Sequence, residues 1–240
     1  MARALKKLLR NRLTIPLTPF YRRYTYTGGL AIDSADARGC VDTQMRFFCN
    51  RIPKAANSTV VTMLAKLRFD REIPSKQAKK LFLTPALLSS NEVQNFENFF
   101  RFVFVRNPYT RTLSAYLDKV ERRAIRKDKP TSFKNFLYEL EAGRLHSNAH
   151  WAPQSDLLLI PVNQFNFIGR TESFDADINT VKNQLLNNRS DEPVKSVLSN
   201  ATNATGKLDR YYDDETIELV RKLYRQDFDI FDYPLNLPGK

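Results

Sequence analysis

The stretch FVFVRNPYTRTLSAYL, residues 102–117, joins two patterns of different period. Its first four residues are all apolar, as expected of a parallel strand that is buried on both faces. Asn107 is a good helix N-cap, and Pro108 suits the first helical position. Apolar residues then recur at helical spacing, at Leu113, Tyr116, Leu117 and Val120. The stretch therefore predicts a buried strand, a tight turn and a helix.

The strand-to-helix pattern occurs at two other places in the chain. Residues 46–52 predict a strand that Pro53 ends, and residues 165–169 predict another strand. A helix follows each of them, and Asn57 and Ser58 are the expected N-caps of the first. The inward faces of the two helices carry Val60, Leu64 and Leu67, and Phe174, Ile178, Val181 and Leu185.

Two more helices are expected, one around residues 133–140 and one that begins near Asp213. The second would bury Ile217, Val220, Tyr224 and Phe228. Strand and helix patterns alternate along the chain, which indicates a mostly parallel sheet with helices on both faces. We therefore predict an α/β fold with a P-loop-like three-layer arrangement, in which a central, mostly parallel sheet is flanked by helices.

The length of 240 residues suits one α/β domain and is short for two. Residues 1–44 are expected to form a basic, partly irregular N-terminal lead with scattered turns. Residues 45–235 form the predicted domain, and residues 236–240 a short tail. Within the domain, the polar stretch from about residue 189 to 206 predicts a surface loop.

The formal net charge of +12 favours anionic partners, which include nucleotides, acidic glycans, nucleic acids and acidic membranes. Seven basic residues and no acidic residue lie within the first 23 positions. This segment is either a solvated basic tail or a weak membrane-surface helix. The apolar face of such a helix would consist of Leu5, Leu8, Leu9 and Leu13.

No apolar run reaches the length of about 18 residues that a membrane span needs, and no signal peptide is recognisable. Cys40 and Cys49 are the only cysteines, and their spacing predicts neither a disulfide framework nor a zinc site. The sequence therefore predicts no metal centre and a cytoplasmic location.

The turn after the strand predicted over residues 46–52 has the composition of a phosphate cradle. Small and hydroxylated residues at a helix N-terminus let backbone N–H groups approach an anion, and a lysine adds a mobile charge. The candidate binding residues are Lys54, Ala55, Ala56, Asn57, Ser58 and Thr59. The loop does not match the glycine-rich loop of nucleotide triphosphatases. Taken alone, it is equally compatible with a capped helix start behind a surface lysine.

The turn after the strand predicted at residues 102–105 carries Arg106 and, two helical turns later, Ser114. Both side chains can reach one anion near the sheet edge. Each residue alone has a simpler explanation, because Arg106 could be a surface charge at a helix end and Ser114 a small packing residue.

Together the two turns resemble the paired signatures of the PAPS-dependent sulfotransferases, especially the membrane-type carbohydrate branch (sulfotransferase family 2-like). PAPS is 3′-phosphoadenosine 5′-phosphosulfate. In that family a Pro-Lys-small-small-x-Ser/Thr loop binds the 5′-phosphosulfate, and an Arg-Asp/Asn-Pro segment with a serine eight residues beyond the arginine binds the 3′-phosphate. The similarity covers about residues 46–233. It includes His150-Trp151-x-Pro153-Gln154, the segment 167–172 and the closing segment 224–233.

The resemblance implies that Lys54 stabilises the charge that develops on the leaving phosphate during in-line transfer. It implies that Arg106 and Ser114 recognise the 3′-phosphate, which ATP lacks. The product would be adenosine 3′,5′-bisphosphate, and no metal is expected to take part. The acceptor hydroxyl needs a base. His150 is the first candidate for it, with His146 and Glu172 behind, and Lys207 is expected to close over the donor.

The expected acceptor is the hydroxyl group of a carbohydrate, and a nucleic-acid partner is not expected. One alternative is a P-loop kinase-like phosphotransferase, and another is a non-catalytic basic module that binds glycans or nucleic acids. The animal relatives are Golgi enzymes with a membrane anchor. The alternative to a cytoplasmic location is therefore a Golgi-lumenal domain that lacks its anchor.

Overall fold

The computed structural model describes residues 2–122, 131–186 and 203–239 and is built around a four-stranded sheet. The strands are β1 (Gly39–Asp42), β2 (Phe47–Asn50), β3 (Phe100–Val105) and β4 (Phe167–Arg170), and they lie side by side in that order. β2, β3 and β4 run parallel, whereas β1 pairs antiparallel with β2. The sheet is therefore mostly parallel, as predicted.

Helices connect the strands and cover the sheet. The first six are α1 (Ala2–Leu9), α2 (Pro19–Arg23), α3 (Ile32–Asp36), α4 (Asn57–Phe69), α5 (Ser75–Ala78) and α6 (Ser90–Gln94). The others are α7 (Pro108–Tyr116), α8 (Phe133–Glu139), α9 (Phe174–Leu185), α10 (Leu208–Tyr211), α11 (Asp214–Leu223) and α12 (Arg225–Ile230). Single π-helical turns, Arg10–Thr14 and Leu117–Glu121, extend α1 and α7.

The alternation of side chains along β3 divides the core into two layers. Phe102 and Phe104 pack on one face of the sheet with apolar residues of α4 and α9. Val103 and Val105 pack on the other face with residues of α7, α8, α11 and α12. All four strand residues are almost completely buried. Because both faces are covered, the predicted three-layer α/β fold is confirmed.

Much of the segment before residue 45 belongs to the core, a feature that the sequence pattern did not reveal. Phe20 and Tyr24 pack against Phe96, and β1 forms an edge of the sheet. Val41 is buried in the same cluster together with Leu159. These residues belong to no long periodic run, and partners such as Phe96 and Leu159 lie far along the chain, so local periodicity could not detect their burial.

The remaining local predictions concern the last helix and the polar loop before it. The expected last helix is two helices, α11 and α12, because the chain turns at Tyr224, whose φ of −120° and ψ of 23° are not helical. Its predicted beginning is confirmed, since the Asp213 side chain accepts a hydrogen bond from the backbone N–H of Thr216. Most of the polar loop predicted over residues 189–206 lies outside the described residues.

Among the helices of the described ranges, none has both the length and the apolar character that crossing a bilayer requires.

Candidate functional site

A cavity of about 660 Å³ lies beyond the carboxyl ends of β2 and β3, where α4 and α7 begin. This is the position at which parallel α/β sheets bind ligands. The predicted site residues that line the cavity are Lys54, Ala56, Asn57, Ser58, Arg106, Ser114 and His150. Three others lie outside the lining: Ala55 is buried in the core, Thr59 is half-buried, and Lys207 follows the lining residue Thr205 by two positions.

The loop between β2 and α4 has a strained backbone. Lys54 and Ala56 adopt left-handed conformations, with φ of 71° and 51°. Such conformations cost a non-glycine residue about 1–3 kcal/mol and are concentrated at functional sites. The strain turns the chain sharply without a glycine, so that Ala56 and the first residues of α4 line the cavity.

The N-terminus of α4 differs from the prediction. Asn57 and Ser58 are the first two helical residues rather than N-caps, and the N-cap is Ala56, which has no capping side chain. The left-handed turn at Ala56 is the physical reason, because it shifts the cap one residue earlier. The N-terminal N–H groups of a helix lack intrahelical acceptors and favour an anion. The buried Oδ1 atom of Asn57 has no hydrogen-bond partner among the described residues.

The two predicted turns are bonded directly to each other. Arg106 Nη1 donates a hydrogen bond to the backbone carbonyl of Lys54 at 3.2 Å, and Arg106 Nε donates to Thr110 Oγ1 at 3.0 Å. Asn107 caps α7 through its side chain, which accepts from the N–H of Tyr109, as predicted. Lys54 and Arg106 therefore lie at one cavity.

Arg111, for which the sequence analysis assigned no role, joins three segments of the site. Its guanidinium is almost fully buried and donates to the carbonyls of Pro53 (3.1 Å), Ala149 (3.2 Å) and Ala152 (2.8 Å). Arg111 thus connects α7 to the loop before Lys54 and to the segment around His150. No signal in the sequence indicated this role, because Arg111 lies opposite the apolar face of α7 and is readily explained as a surface charge.

His150 has the surroundings of a neutral imidazole. Its Nδ1 lies 2.8 Å from Asn148 Oδ1, which also accepts from the His150 backbone N–H at 3.1 Å. Because Oδ1 is an acceptor, Nδ1 carries the proton and Nε2 is the basic nitrogen. Burial, followed by the charges of Lys119, Arg38 and Lys54, lowers the pKa of His150 to about 3.

The two other candidate bases are already engaged. His146 Nε2 lies 2.6 Å from Asp156 Oδ2, and His146 is not part of the cavity lining. Glu172 does line the cavity, but its carboxylate accepts hydrogen bonds from the Asn107 N–H at 2.8 Å and from the Tyr233 hydroxyl at 3.1 Å. Of the three candidates, His150 and Glu172 line the cavity.

Lys54 is paired with a carboxylate that the sequence analysis did not consider. Its Nζ lies 3.1 Å from Asp118 Oδ2, and both side chains are largely buried. Asp118 is one helical turn beyond Ser114 and also pairs with Lys119 and Arg122. Burial alone would raise the pKa of Asp118, but hydrogen bonds from Lys119 and Lys54 outweigh it and lower the pKa to about 2.

The cavity lining is strongly cationic. It contains six lysine or arginine side chains, Arg38, Lys54, Lys76, Lys79, Arg106 and Lys119, and two carboxylates, Asp118 and Glu172. Lys79 Nζ donates to Ser58 Oγ at 3.0 Å, so this cationic group extends to the first turn of α4. Mutual repulsion of these charges is relieved when a ligand with several negative charges binds.

A mostly parallel α/β sheet with two strand-to-helix turns beside one cationic cavity has the architecture of the α/β proteins that bind ligands at the carboxyl ends of their strands. The chain belongs to the sulfotransferase family, whose family model matches residues 39–234. The resemblance predicted from the two motifs is thereby confirmed. The chain is also similar to carbohydrate sulfotransferase 14 of Mus musculus, with 28% identity over 169 residues.

That alignment covers 59% of this chain and 44% of the mouse protein, so the chain spans less than half of its relative's length. No solved structure matches the chain significantly.

Arg111→Met should destabilise the fold by about 3 kcal/mol, because three buried carbonyls lose a charged donor. Chemical denaturation monitored by circular dichroism measures this change. The matched control is Arg225→Met, which removes an exposed ion pair with Asp229 and should change stability by less than about 0.5 kcal/mol. Equal stability of the two variants would contradict the joining role of Arg111.

Proposed function

We propose that the protein transfers the sulfuryl group of PAPS to a hydroxyl group of a carbohydrate. The observation that carries this proposal is the hydrogen bond from Arg106 to the Lys54 carbonyl, which brings both anion-binding turns to one cavity. PAPS is an adenosine nucleotide with anionic groups at both its 3′ and 5′ positions, and two linked cationic turns suit such a ligand. Membership of the sulfotransferase family supports the same donor.

In this proposal the loop from Lys54 to Thr59 holds the 5′-phosphosulfate at the N-terminus of α4. Arg106, just before α7, and Ser114, within α7, hold the 3′-phosphate, and this contact distinguishes PAPS from ATP. Lys207 remains a predicted closing residue, and its closeness to Thr205 in sequence is compatible with that role. The other cations of the lining would suit an acceptor with carboxylate groups, such as a uronic-acid polymer.

The reaction exchanges one S–O bond for another. The acceptor oxygen bonds to sulfur while the bond from sulfur to the bridging phosphate oxygen breaks, and the electron pair of that bond stays on the phosphate. Lys54 is the proposed catalytic cation, because a preorganised ammonium group stabilises charge that develops only in the transition state. To act in this way, the Lys54 ammonium gives up its contact with the Asp118 carboxylate and contacts the bridging oxygen instead.

The acceptor hydroxyl loses its proton to His150 Nε2 in the same proposal. The hydrogen bond from Nδ1 to Asn148 fixes the tautomer that exposes this basic nitrogen. Burial, and after it the surrounding cations, lower the pKa of His150 and disfavour the imidazolium form in the free protein. The negative charges of the donor offset those cations, so donor binding makes His150 a stronger base when a proton must be accepted.

Donor recognition is tested by thermal denaturation without magnesium. Adenosine 3′,5′-bisphosphate at about 100 times its Kd should stabilise the protein by about 2.7 kcal/mol, which raises the melting temperature by several degrees. ATP at the same concentration should have a much smaller effect because it lacks the 3′-phosphate. Ser114→Ala should weaken the response to the bisphosphate but leave that to ATP unchanged. Equal responses to both nucleotides would contradict the proposal, and transfer from radiolabelled PAPS to a carbohydrate panel tests the complete reaction.

The role of His150 is tested by its titration and by substitution. Histidine NMR should show a pKa of about 3 for His150 in the free protein, which rises when adenosine 3′,5′-bisphosphate adds negative charge. His150→Asn should lower kcat by about 10²–10⁴-fold, with nucleotide binding retained. His146→Asn is the control and should have wild-type kcat. A small effect of the first substitution on kcat would exclude His150 as the base.

Asp118→Asn tests the exchange of partners at Lys54. Because the neutral amide no longer competes for the ammonium, we expect adenosine 3′,5′-bisphosphate to bind roughly threefold to tenfold more tightly in calorimetry. General damage to the fold would weaken binding instead. Glu121→Gln is the matched control, since Glu121 accepts from the Tyr211 hydroxyl outside the cavity lining and its loss should not alter affinity. Unchanged or weaker binding by Asp118→Asn would refute the exchange.

A further inference from the structure

The N-terminal helix presents an apolar surface that the domain does not cover. We call Leu5, Leu8, Leu9 and Leu13 the leucine face, and their exposed fractions are 57%, 47%, 45% and 53%. The first three recur at i, i+3 and i+4 of α1, and Leu13 follows on the adjoining π-helical turn Arg10–Thr14. Five of the nine large apolar side chains that are exposed in the described chain lie between residues 5 and 17.

The charge of this segment has one sign. Lys6, Lys7, Arg10 and Arg12 are all exposed, and none of them forms an ion pair within the described ranges. The first acidic residue of the chain is Asp33. Exposed cations beside an apolar helix face are complementary to a surface on which anionic groups cover an apolar layer.

The helix is attached to the domain at its C-terminal end. Asn11 Oδ1 accepts a hydrogen bond from the backbone N–H of Asp33 at 2.9 Å, and Asn11 Nδ2 donates to the Lys7 carbonyl at 2.8 Å. Ile15 is buried in a core cluster with Phe20. These contacts hold the end of the helical segment against the folded body while the leucine face stays exposed.

We propose that α1 and the following π-helical turn bind the surface of a membrane that contains anionic lipids. The leucine face enters the boundary between headgroups and acyl chains, as in other amphipathic interfacial helices. The lysine and arginine side chains keep their charges at the anionic headgroups while their aliphatic stems contact the apolar layer. A second copy of the chain suits this surface less well, because its corresponding segment would bring like charges together without any acidic partner.

Vesicle cosedimentation of the 240-residue chain tests the proposal. Vesicles of phosphatidylcholine with phosphatidylserine should bind the protein at least about tenfold more tightly than vesicles of phosphatidylcholine alone, and salt should weaken this binding. Replacement of all four leucines by serine (L5S/L8S/L9S/L13S) should abolish binding to both kinds of vesicle. Replacement of three cations by glutamine (K6Q/K7Q/R10Q) should remove the preference for anionic vesicles.

The matched control is Leu87→Ser, since Leu87 is 65% exposed in the turn Pro85–Leu87, outside the N-terminal helix, and its loss should leave vesicle binding unchanged. Circular dichroism and thermal denaturation report whether each variant is folded, so this test does not depend on the proposed function. Equal binding to neutral and anionic vesicles would overturn the proposal. So would wild-type binding by the leucine variant, or concentration-dependent self-association that the leucine substitutions abolish.

Discussion

The buried guanidinium of Arg111 is the interaction on which the site depends. A buried charge is stable only when its donors are satisfied. Here three carbonyls from two distant segments satisfy them, at Pro53, Ala149 and Ala152. The geometry of one planar group thus sets the position of the loop before Lys54 relative to the segment that carries His150. Asp227 extends the arrangement, because its buried carboxylate accepts from the N–H groups of Gln154 and Ser155.

The cavity that these contacts create is costly for the protein without a ligand. Lys54 and Ala56 have left-handed backbones, and six cationic side chains surround two carboxylates. A ligand with several negative charges offsets the repulsion. Without such a ligand, the stability of the rest of the fold compensates for the backbone strain and the charge repulsion at the cavity. Burial, followed by the same cationic surroundings, lowers the pKa of His150, and the pairing with Asp118 supplies a local counter-charge for Lys54.

The elements that could be predicted were those whose signals are local. The change of period in residues 102–117, the capping side chain of Asn107 and the apolar face of α9 all concern neighbours within a few positions, and the structure contains each of them. β1 was missed because it has only four residues and two apolar side chains, Cys40 and Val41, a run that is too short for a recognisable alternation. Arg111, Asp118 and Lys79 were missed because their partners are 21 to 64 residues away in sequence.

The sequence by itself determined the α/β class, the two strand-to-helix turns that carry Lys54 and Arg106, and membership of the sulfotransferase family, because each rests on ordered motifs with fixed short spacing. Only the tertiary structure decided which side chains meet. It joined Arg106 to the Lys54 carbonyl, paired the Lys54 ammonium with Asp118, and separated His150 at the cavity from His146 on Asp156. The physical reason is that hydrogen bonds and charge pairs act over a few ångströms in space, and the packing of helices on the sheet sets those distances.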